Sequence, residues 1–262
     1  MESIIDLLVL QVETTNICNG KCIFCAHHKF TEFGTMTDDL YEFIIEQASS
    51  LPGLGIFIPM LTGEPLCDPK FIKRLKYARE NLSAVIEVYT NGSFLTKEII
   101  DELKDISELY LNVSINGTTP ETRKLLTGLD DFNKVMESIK YLGSVGIPHR
   151  ASIVSYPGIS IDELNLIYKT KNKIIPYQSW CSGEYTRITK EPCGRAENYM
   201  TVRYNGDVCL CCFDPFGRIT FGNLNNQTIE EVWNSDKHKE YQEMHKQGRA
   251  AELKLCKHCT NL

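Results

Sequence analysis

Six short apolar runs, each followed by a helical pattern, dominate the first 190 residues and leave few folds open. The runs lie at 7–13, 55–61, 84–90, 109–115, 148–154 and 173–179. Near-continuous β-branched, aliphatic and aromatic content of this kind suits parallel strands buried on both faces. The helices between them have readable starts. Thr37 caps 38–51, where Leu40, Phe43, Ile44, Ala48 and Leu51 recur at helical spacing. Asp68-Pro69 predicts a helix over 69–81 with proline at its first position. Thr96 precedes 97–106, and Phe132, Val135, Met136, Ile139 and Leu142 make the stripe of 129–145, stopped by Gly146. Ser160-Ile161-Asp162-Glu163 reads as a capping box before the sixth strand. Such units form a parallel barrel or a doubly wound sheet. In either, functional groups gather at the carboxyl ends of the strands.

Beyond about residue 190 the pattern changes. Tyr199–Tyr204 and Asp207–Phe213 flank Asn205-Gly206, a hairpin signal because both turn residues tolerate positive φ. A run at 217–224, the capping box Thr228-Ile229-Glu230-Glu231 with a helix through Trp233, and a polar helix at 236–247 complete a small α+β unit. The chain thus divides into 1–190 and 191–262. Its net charge of −6 argues against a polyanionic partner such as nucleic acid. No apolar run approaches the roughly 18–20 residues that span a bilayer, and Met1-Glu2-Ser3-Ile4-Ile5-Asp6 lacks the basic start of a secretory signal. The expectation is a cytoplasmic protein with no membrane partner.

Eleven cysteines are out of scale for such a protein. In a reducing compartment clustered thiols read as metal ligands or redox groups, although a few serve as small buried hydrophobes. Cys18, Cys22 and Cys25 follow the first strand at spacings of three and two intervening residues. Three thiolates in one short loop can hold three irons of a [4Fe–4S] cube and leave the fourth open. The competing reading is a zinc site completed by His27 or His28.

Three companion motifs favour iron. Thr62-Gly63-Glu64-Pro65 follows the second strand, Thr90-Asn91-Gly92 ends the third, and Ser114-Ile115-Asn116-Gly117 ends the fourth. With the cysteine loop and Phe24 just before its third cysteine, they resemble the radical S-adenosylmethionine (radical SAM) superfamily over residues 7–180. The resemblance implies a partial (β/α)6 TIM-like barrel. It places the backbone around Phe24 against the adenine, Thr62, Gly63 and Glu64 at the methionyl ammonium, and Ser114 and Asn116 toward the ribose and carboxylate. Relatives often carry Arg-Gly where this chain has Thr127-Gly128. The basic partner of the methionyl carboxylate is then expected from Arg123 or Arg150.

Cys193, Cys211, Cys256 and Cys259 resemble the SPASM/twitch extension of the same superfamily. Gly206 and Cys211 stand in its G-x4-C hairpin spacing, which selects Cys211 over Cys209 and Cys212. The short twitch form implies one auxiliary [4Fe–4S] cluster with four cysteine ligands; a structural zinc knuckle is the alternative. Cys67, Cys181, Cys209 and Cys212 are read as packing residues.

The resemblance implies reductive cleavage of S-adenosylmethionine and hydrogen-atom abstraction by a 5′-deoxyadenosyl radical. It also implies a low-potential electron donor such as flavodoxin or ferredoxin. The architecture is similar to the twitch-domain aminocyclitol dehydrogenases, so the expected reaction oxidises a hydroxyl of a small polyol, aminocyclitol or sugar. Epimerisation, with Cys181 as hydrogen donor, and peptide crosslinking are the rivals. Substrate contacts are expected at Arg150 and Ser152, which share one face of the fifth strand, and at Glu184, Tyr185 and Arg187. Arg187 is the candidate catalytic residue, hydrogen-bonding a substrate hydroxyl or phosphate; its alternative is a solvated surface charge.

Overall fold

The six apolar runs become six parallel strands lying side by side in chain order. The computed structural model describes residues 5–156, 162, 173–175 and 193–259. Strands β1 (Val9–Val12), β2 (Ile56–Ile58), β3 (Val85–Thr90), β4 (Leu109–Ser114), β5 (His149–Val154) and β6 (Lys173–Ile175) pair consecutively. A doubly wound sheet reverses its strand order at a switch point, and this sheet does not, so the partial barrel is the form adopted.

One face of the sheet is apolar and the other is not. Ile86, Val88, Leu111, Val113, Ala151 and Ile153 are buried in the core that also holds Ile100, Leu103, Val135 and Ile139. Those partners come from α3 (Lys97–Leu103) and α5 (Phe132–Ser144). The alternate residues Glu87, Tyr89, Asn112, Ser114, Arg150 and Ser152 point the other way, as the two-residue period of a strand requires. They hydrogen-bond among themselves. Tyr89 donates to Glu87 at 3.0 Å, Arg150 donates to Asn112 and to Tyr89, and the Ser114 and Ser152 hydroxyls are 3.4 Å apart. The expected burial of both faces in apolar surroundings therefore fails: the barrel lumen is polar.

Among the helices, α1 (Asp38–Ser49) is capped by Thr37, whose hydroxyl accepts from Leu40 N–H. Helix α2 begins at Phe71 and ends at Asn81, two residues later than the proline suggests. Asp68 accepts the Lys70 N–H at 2.9 Å and pairs with Arg74 at 3.2 Å, which keeps Pro69 in the entering turn. Helix α4 (Pro120–Thr127) has no counterpart in the sequence reading. Its buried face holds Arg123 and Thr127 beside Leu126, too polar for an apolar stripe. Gly146, at φ +80°, follows the end of α5. The capping box at 160–163 lies, apart from Asp162, outside the described residues.

The C-terminal segment extends the same sheet. Strand β7 (Tyr199–Val202) pairs parallel with the free edge of β1, and β8 (Asp207–Cys209) and β9 (Thr220–Asn223) follow antiparallel. Only Gly206 of the hairpin turn has positive φ, at +89°. Its N–H donates to Arg203 O and Arg203 N–H to Asp207 O, which makes a longer loop with glycine in the left-handed position. Helices α6 (Gly194–Asn198), α7 (Ile229–Trp233) and α8 (Asp236–Lys246) pack around it, with Thr228 and Glu231 capping α7 reciprocally. Among the described residues no helix is long and apolar enough to cross a membrane.

Two buried charges lock the strand ends. Glu13, just past β1, accepts from Thr62 N–H at 3.1 Å, from the Thr62 hydroxyl and from Tyr204 N–H at 3.3 Å. Arg123 is fully buried and spends its guanidinium on Ile115 O at 2.7 Å, Asn91 O at 2.9 Å and Asp131 at 2.6 Å. Burial opposes the Asp131 charge, yet hydrogen bonds from Arg123 and Ser93 hold its carboxyl below the usual range. Replacing Arg123 with Met strands these acceptors and should cost about 3–5 kcal/mol in denaturant unfolding. A loss below about 1 kcal/mol would mean that the brace carries no load.

Candidate active site

The loop of Cys18, Cys22 and Cys25 is held from three sides. Lys21 and Ile23 donate their N–H groups to Thr127 O and Leu126 O at the end of α4, at 2.7 and 3.0 Å. Glu64 N–H donates to Ile17 O at 2.9 Å, and the Asn91 amide donates to Asn19 Oδ1 at 2.7 Å. Gly63 permits the second of these contacts: a Cβ there would stand 2.2 Å from Thr15 O and 2.8 Å from Ile17 O. Thr127-Gly128, the departure from the usual Arg-Gly, thus sits against the loop. Gly128 takes φ +72°, and the Thr127 hydroxyl bonds back to Arg123 O.

Two features of this loop fit an iron–sulfur group. Gly20 N–H points at Cys18 Sγ (3.3 Å) and His27 N–H at Cys25 Sγ (3.4 Å), an arrangement that favours thiolates. Gly20 leaves clear the space beside two sulfurs: a Cβ there would lie 3.6 and 3.7 Å from Cys18 and Cys22 Sγ. Burial first, and the neighbouring thiols second, push Cys22 up to about 12; burial likewise takes Cys18 to about 12 and raises Cys25. Burial thus opposes the thiolate form, and bound metal would offset it. Phe24 stands half-buried between the second and third cysteines. Cys67 accepts the Asn19 N–H beside the loop.

The companion motifs converge next to the loop, although several side chains serve the frame. Glu64 is 2% exposed and accepts from the Thr90 hydroxyl at 2.6 Å and Asn91 N–H at 2.7 Å. Burial outweighs these bonds and pushes its carboxyl up to about 7, so a cationic partner would restore its charge. Thr62 turns its hydroxyl to Glu13. Asn116 takes φ +45° and accepts from Val154 N–H at 2.9 Å, bracing β4 to β5. Arg123 is fully buried and each of its three nitrogens already donates to the frame, and Arg150 is committed to Asn112 and Tyr89 in the lumen. Of the two candidates, Arg123 is a structural brace and Arg150 a lumen residue.

The second set of cysteines meets in one cavity. Cys193, Cys211, Cys256 and Cys259 line it together with Ala196, Leu210, Phe213 and Leu255, and with Arg195, Asp214 and His245. Four sulfurs around a mostly apolar hollow suit a fully thiolate-ligated cluster. His245 Nε2 lies 3.4 Å from Cys256 Sγ. Cys209 points away, with its thiol toward Thr201 O among Trp233, Phe221 and His238. Cys211 and Cys212 lie beyond the end of β8, in a turn closed by Asp214 N–H to Cys211 O, rather than alternating along the strand. Cys181, Glu184, Tyr185 and Arg187 lie outside the described residues.

Pairing of β7 with β1 sets the two cysteine sets apart. Tyr199 is opposite Val9, and Val202 is opposite Val12. Cys193 precedes β7 and so lies at the amino end of the sheet, while Cys18 follows the carboxyl end of β1. The antiparallel β8 returns Cys211 to the amino end. Between the two lie about 10 Å of strand and the polar lumen of Glu87, Tyr89, Asn112 and Arg150. Sequence reasoning missed Glu87, Tyr89 and Asn112; their every-other-residue placement in runs taken as wholly apolar was the available signal.

Comparison with known proteins agrees with this geometry. Residues 12–170 match the family model of the radical SAM superfamily, and residues 193–260 match that of SPASM, an iron–sulfur cluster-binding domain. The S-adenosyl-L-methionine-dependent 2-deoxy-scyllo-inosamine dehydrogenase of Niallia circulans is 26% identical over 259 residues, covering 97% of this chain and 93% of that protein. A GTP 3′,8-cyclase of Petrotoga mobilis is 32% identical over 169 residues, covering 63% of this chain and 52% of its own. The crystal structure of BtrN with AdoMet and 2-DOIA superposes with a TM-score of 0.73 at 22% identity, covering 98% and 94% of the two chains. That of anSMEcpe with AdoMet gives 0.73 at 17% identity, covering 96% and 88%. These two likenesses establish the fold.

Iron analysis separates the two cysteine sets. The reconstituted chain should hold about eight irons, and Cys18, Cys22 and Cys25 all changed to Ala should leave about four. Cys211→Ala should also lose iron, whereas Cys209→Ala and Cys212→Ala should not. Full iron in the Cys211 variant would overturn the ligand assignment.

Proposed function

Because the chain belongs to the radical SAM superfamily and carries a SPASM iron–sulfur domain, we propose that it is a dehydrogenase of a small polyol, aminocyclitol or sugar. Membership brings S-adenosylmethionine and two [4Fe–4S] clusters; on this reading Cys18, Cys22 and Cys25 would hold one, and Cys193, Cys211, Cys256 and Cys259 the other. Bound and reduced, the first cluster with S-adenosylmethionine would supply a 5′-deoxyadenosyl radical able to take a hydrogen atom from a substrate C–H bond, and the second would offer a one-electron acceptor. Loss of a hydrogen atom from a carbinol carbon leaves one electron and the hydroxyl proton still to depart before the ketone forms.

The chain's own residues position these groups. Glu64 carries the charge that meets the methionyl ammonium, with Gly63 fixing its loop. Phe24 backbone borders the adenine, and Ser114 and Asn116 approach the ribose and carboxylate. Thr62 contributes through its backbone, its hydroxyl being held by Glu13. The lumen of Glu87, Tyr89, Asn112 and Arg150 supplies hydrogen-bonding groups for hydroxyls and amines and shields the radical from solvent. Arg187 is assigned to the substrate hydroxyl on sequence position alone. An external low-potential donor such as flavodoxin or ferredoxin would supply the electron that the first cluster needs.

One observation carries this reading: a four-thiol cavity at the opposite end of a polar lumen from the three-thiol loop. A redox-neutral reaction needs no acceptor there. The full-length likeness to an aminocyclitol dehydrogenase agrees. Anaerobic incubation with polyols and aminocyclitols deuterated at the carbinol carbon tests it. Deuterium should enter 5′-deoxyadenosine, with one ketone formed per S-adenosylmethionine consumed. Solvent deuterium at the substrate carbon without an oxidised product would instead make the enzyme an epimerase.

A further inference from the structure

Arg195 opens onto the auxiliary cavity with no carboxylate partner among the described residues. It follows Cys193 by two residues on α6 and lines the same hollow as the four cysteines. Its guanidinium carbon lies 5.0 Å from the centroid of the Phe213 ring and 6.0 Å from that of Tyr199, two aromatic faces that orient a cation. The charges acting on it most strongly are the sulfurs of Cys212, Cys193 and Cys211, and it hydrogen-bonds the Cys212 thiol. The acid lining this cavity, Asp214, is already occupied. It is 1% exposed, pairs with Arg218 at 3.3 Å and accepts N–H groups from Arg218 and Ile219. An arginine stays charged at any working pH. Among the described residues its charge faces the sulfurs rather than a free carboxylate.

Resting on the dehydrogenase reading, we infer that Arg195 raises the reduction potential of the auxiliary cluster and so makes it a competent one-electron acceptor. Reduction adds one negative charge to a group already surrounded by four thiolates. A fixed positive charge in a poorly hydrated cavity stabilises the more negative state, and net charge with hydrogen bonding to sulfur is how proteins tune such clusters. The electron comes from the substrate radical. That radical is oxidised to the ketone as it loses this electron and its hydroxyl proton, and the cluster is reduced by one electron. Tyr199 neighbours both Arg195 and the lumen, its phenol being close enough to Cys212, Arg195, Tyr89 and Glu87 to feel each of them. Arg195 lines the cavity of the four cysteines and on this inference acts through the cluster.

An EPR-monitored redox titration of the reconstituted holoenzyme reads this directly. The signal of the first cluster is identified by its change on adding S-adenosylmethionine. Arg195→Gln, and Arg195→Met as a second neutral variant that keeps the stem over Phe213, should shift the auxiliary midpoint to more negative potential. The first cluster and the total of about eight irons should stay unchanged, and Arg195→Lys should restore most of the shift. An auxiliary midpoint indifferent to both neutral variants, or a Lys variant shifted as far as they are, overturns the inference while leaving the dehydrogenase reading intact. A wild-type protein with no second cluster sinks both.

Discussion

Everything in this molecule hangs on the parallel pairing of β7 with β1. A strand joined to the first edge of an open barrel must enter at the amino end, so the chain just before it is delivered there. Cys193 and Arg195 occupy that stretch. The cysteine loop leaves β1 at the other end, as the β–α geometry of a barrel requires. Ladder hydrogen bonds from Val9 to Val12 thereby fix both the separation and the opposition of the two thiol sets. The antiparallel return of β8 completes the second set by bringing Cys211 back to the amino end.

Buried charges make this scaffold rigid where chemistry is proposed. Glu13 joins three segments that a reactive site must keep in register: the end of β1, the Thr62-Gly63-Glu64 loop and the C-terminal hairpin. Arg123 does the same for the ends of β3 and β4 and the entry to α5. Both sit where the sheet's own hydrogen bonds run out, and each accepts or donates to backbone that would otherwise be orphaned. That the cysteine loop rests on α4 explains how a chain without the usual Arg-Gly holds its loop: Thr127 O and Leu126 O accept from it directly.

The strands and the grouping of the cysteines were legible because their signals are local. Hydrophobic runs, capping residues such as Thr37 and Thr228, and short motif spacings are read within a few residues. What escaped was set by tertiary contact. Glu87 and Tyr89 passed as part of an apolar strand until the neighbouring strands brought Asn112 and Arg150 level with them. Arg123 looked available for a ligand until its three acceptors, from three segments, came together. The start of α2 moved because Asp68 found Arg74. Helix α4 hid because a buried arginine replaces part of its apolar stripe.

Iron anomalous scattering from anaerobically grown crystals tests the central claim, opposition of two clusters across a polar lumen. The account predicts two iron peaks of equal weight per chain. One should lie beyond the carboxyl end of β1 among Cys18, Cys22 and Cys25, and one near the start of β7 among Cys193, Cys211, Cys256 and Cys259. A single peak, or two peaks on the same end of the sheet, would contradict it.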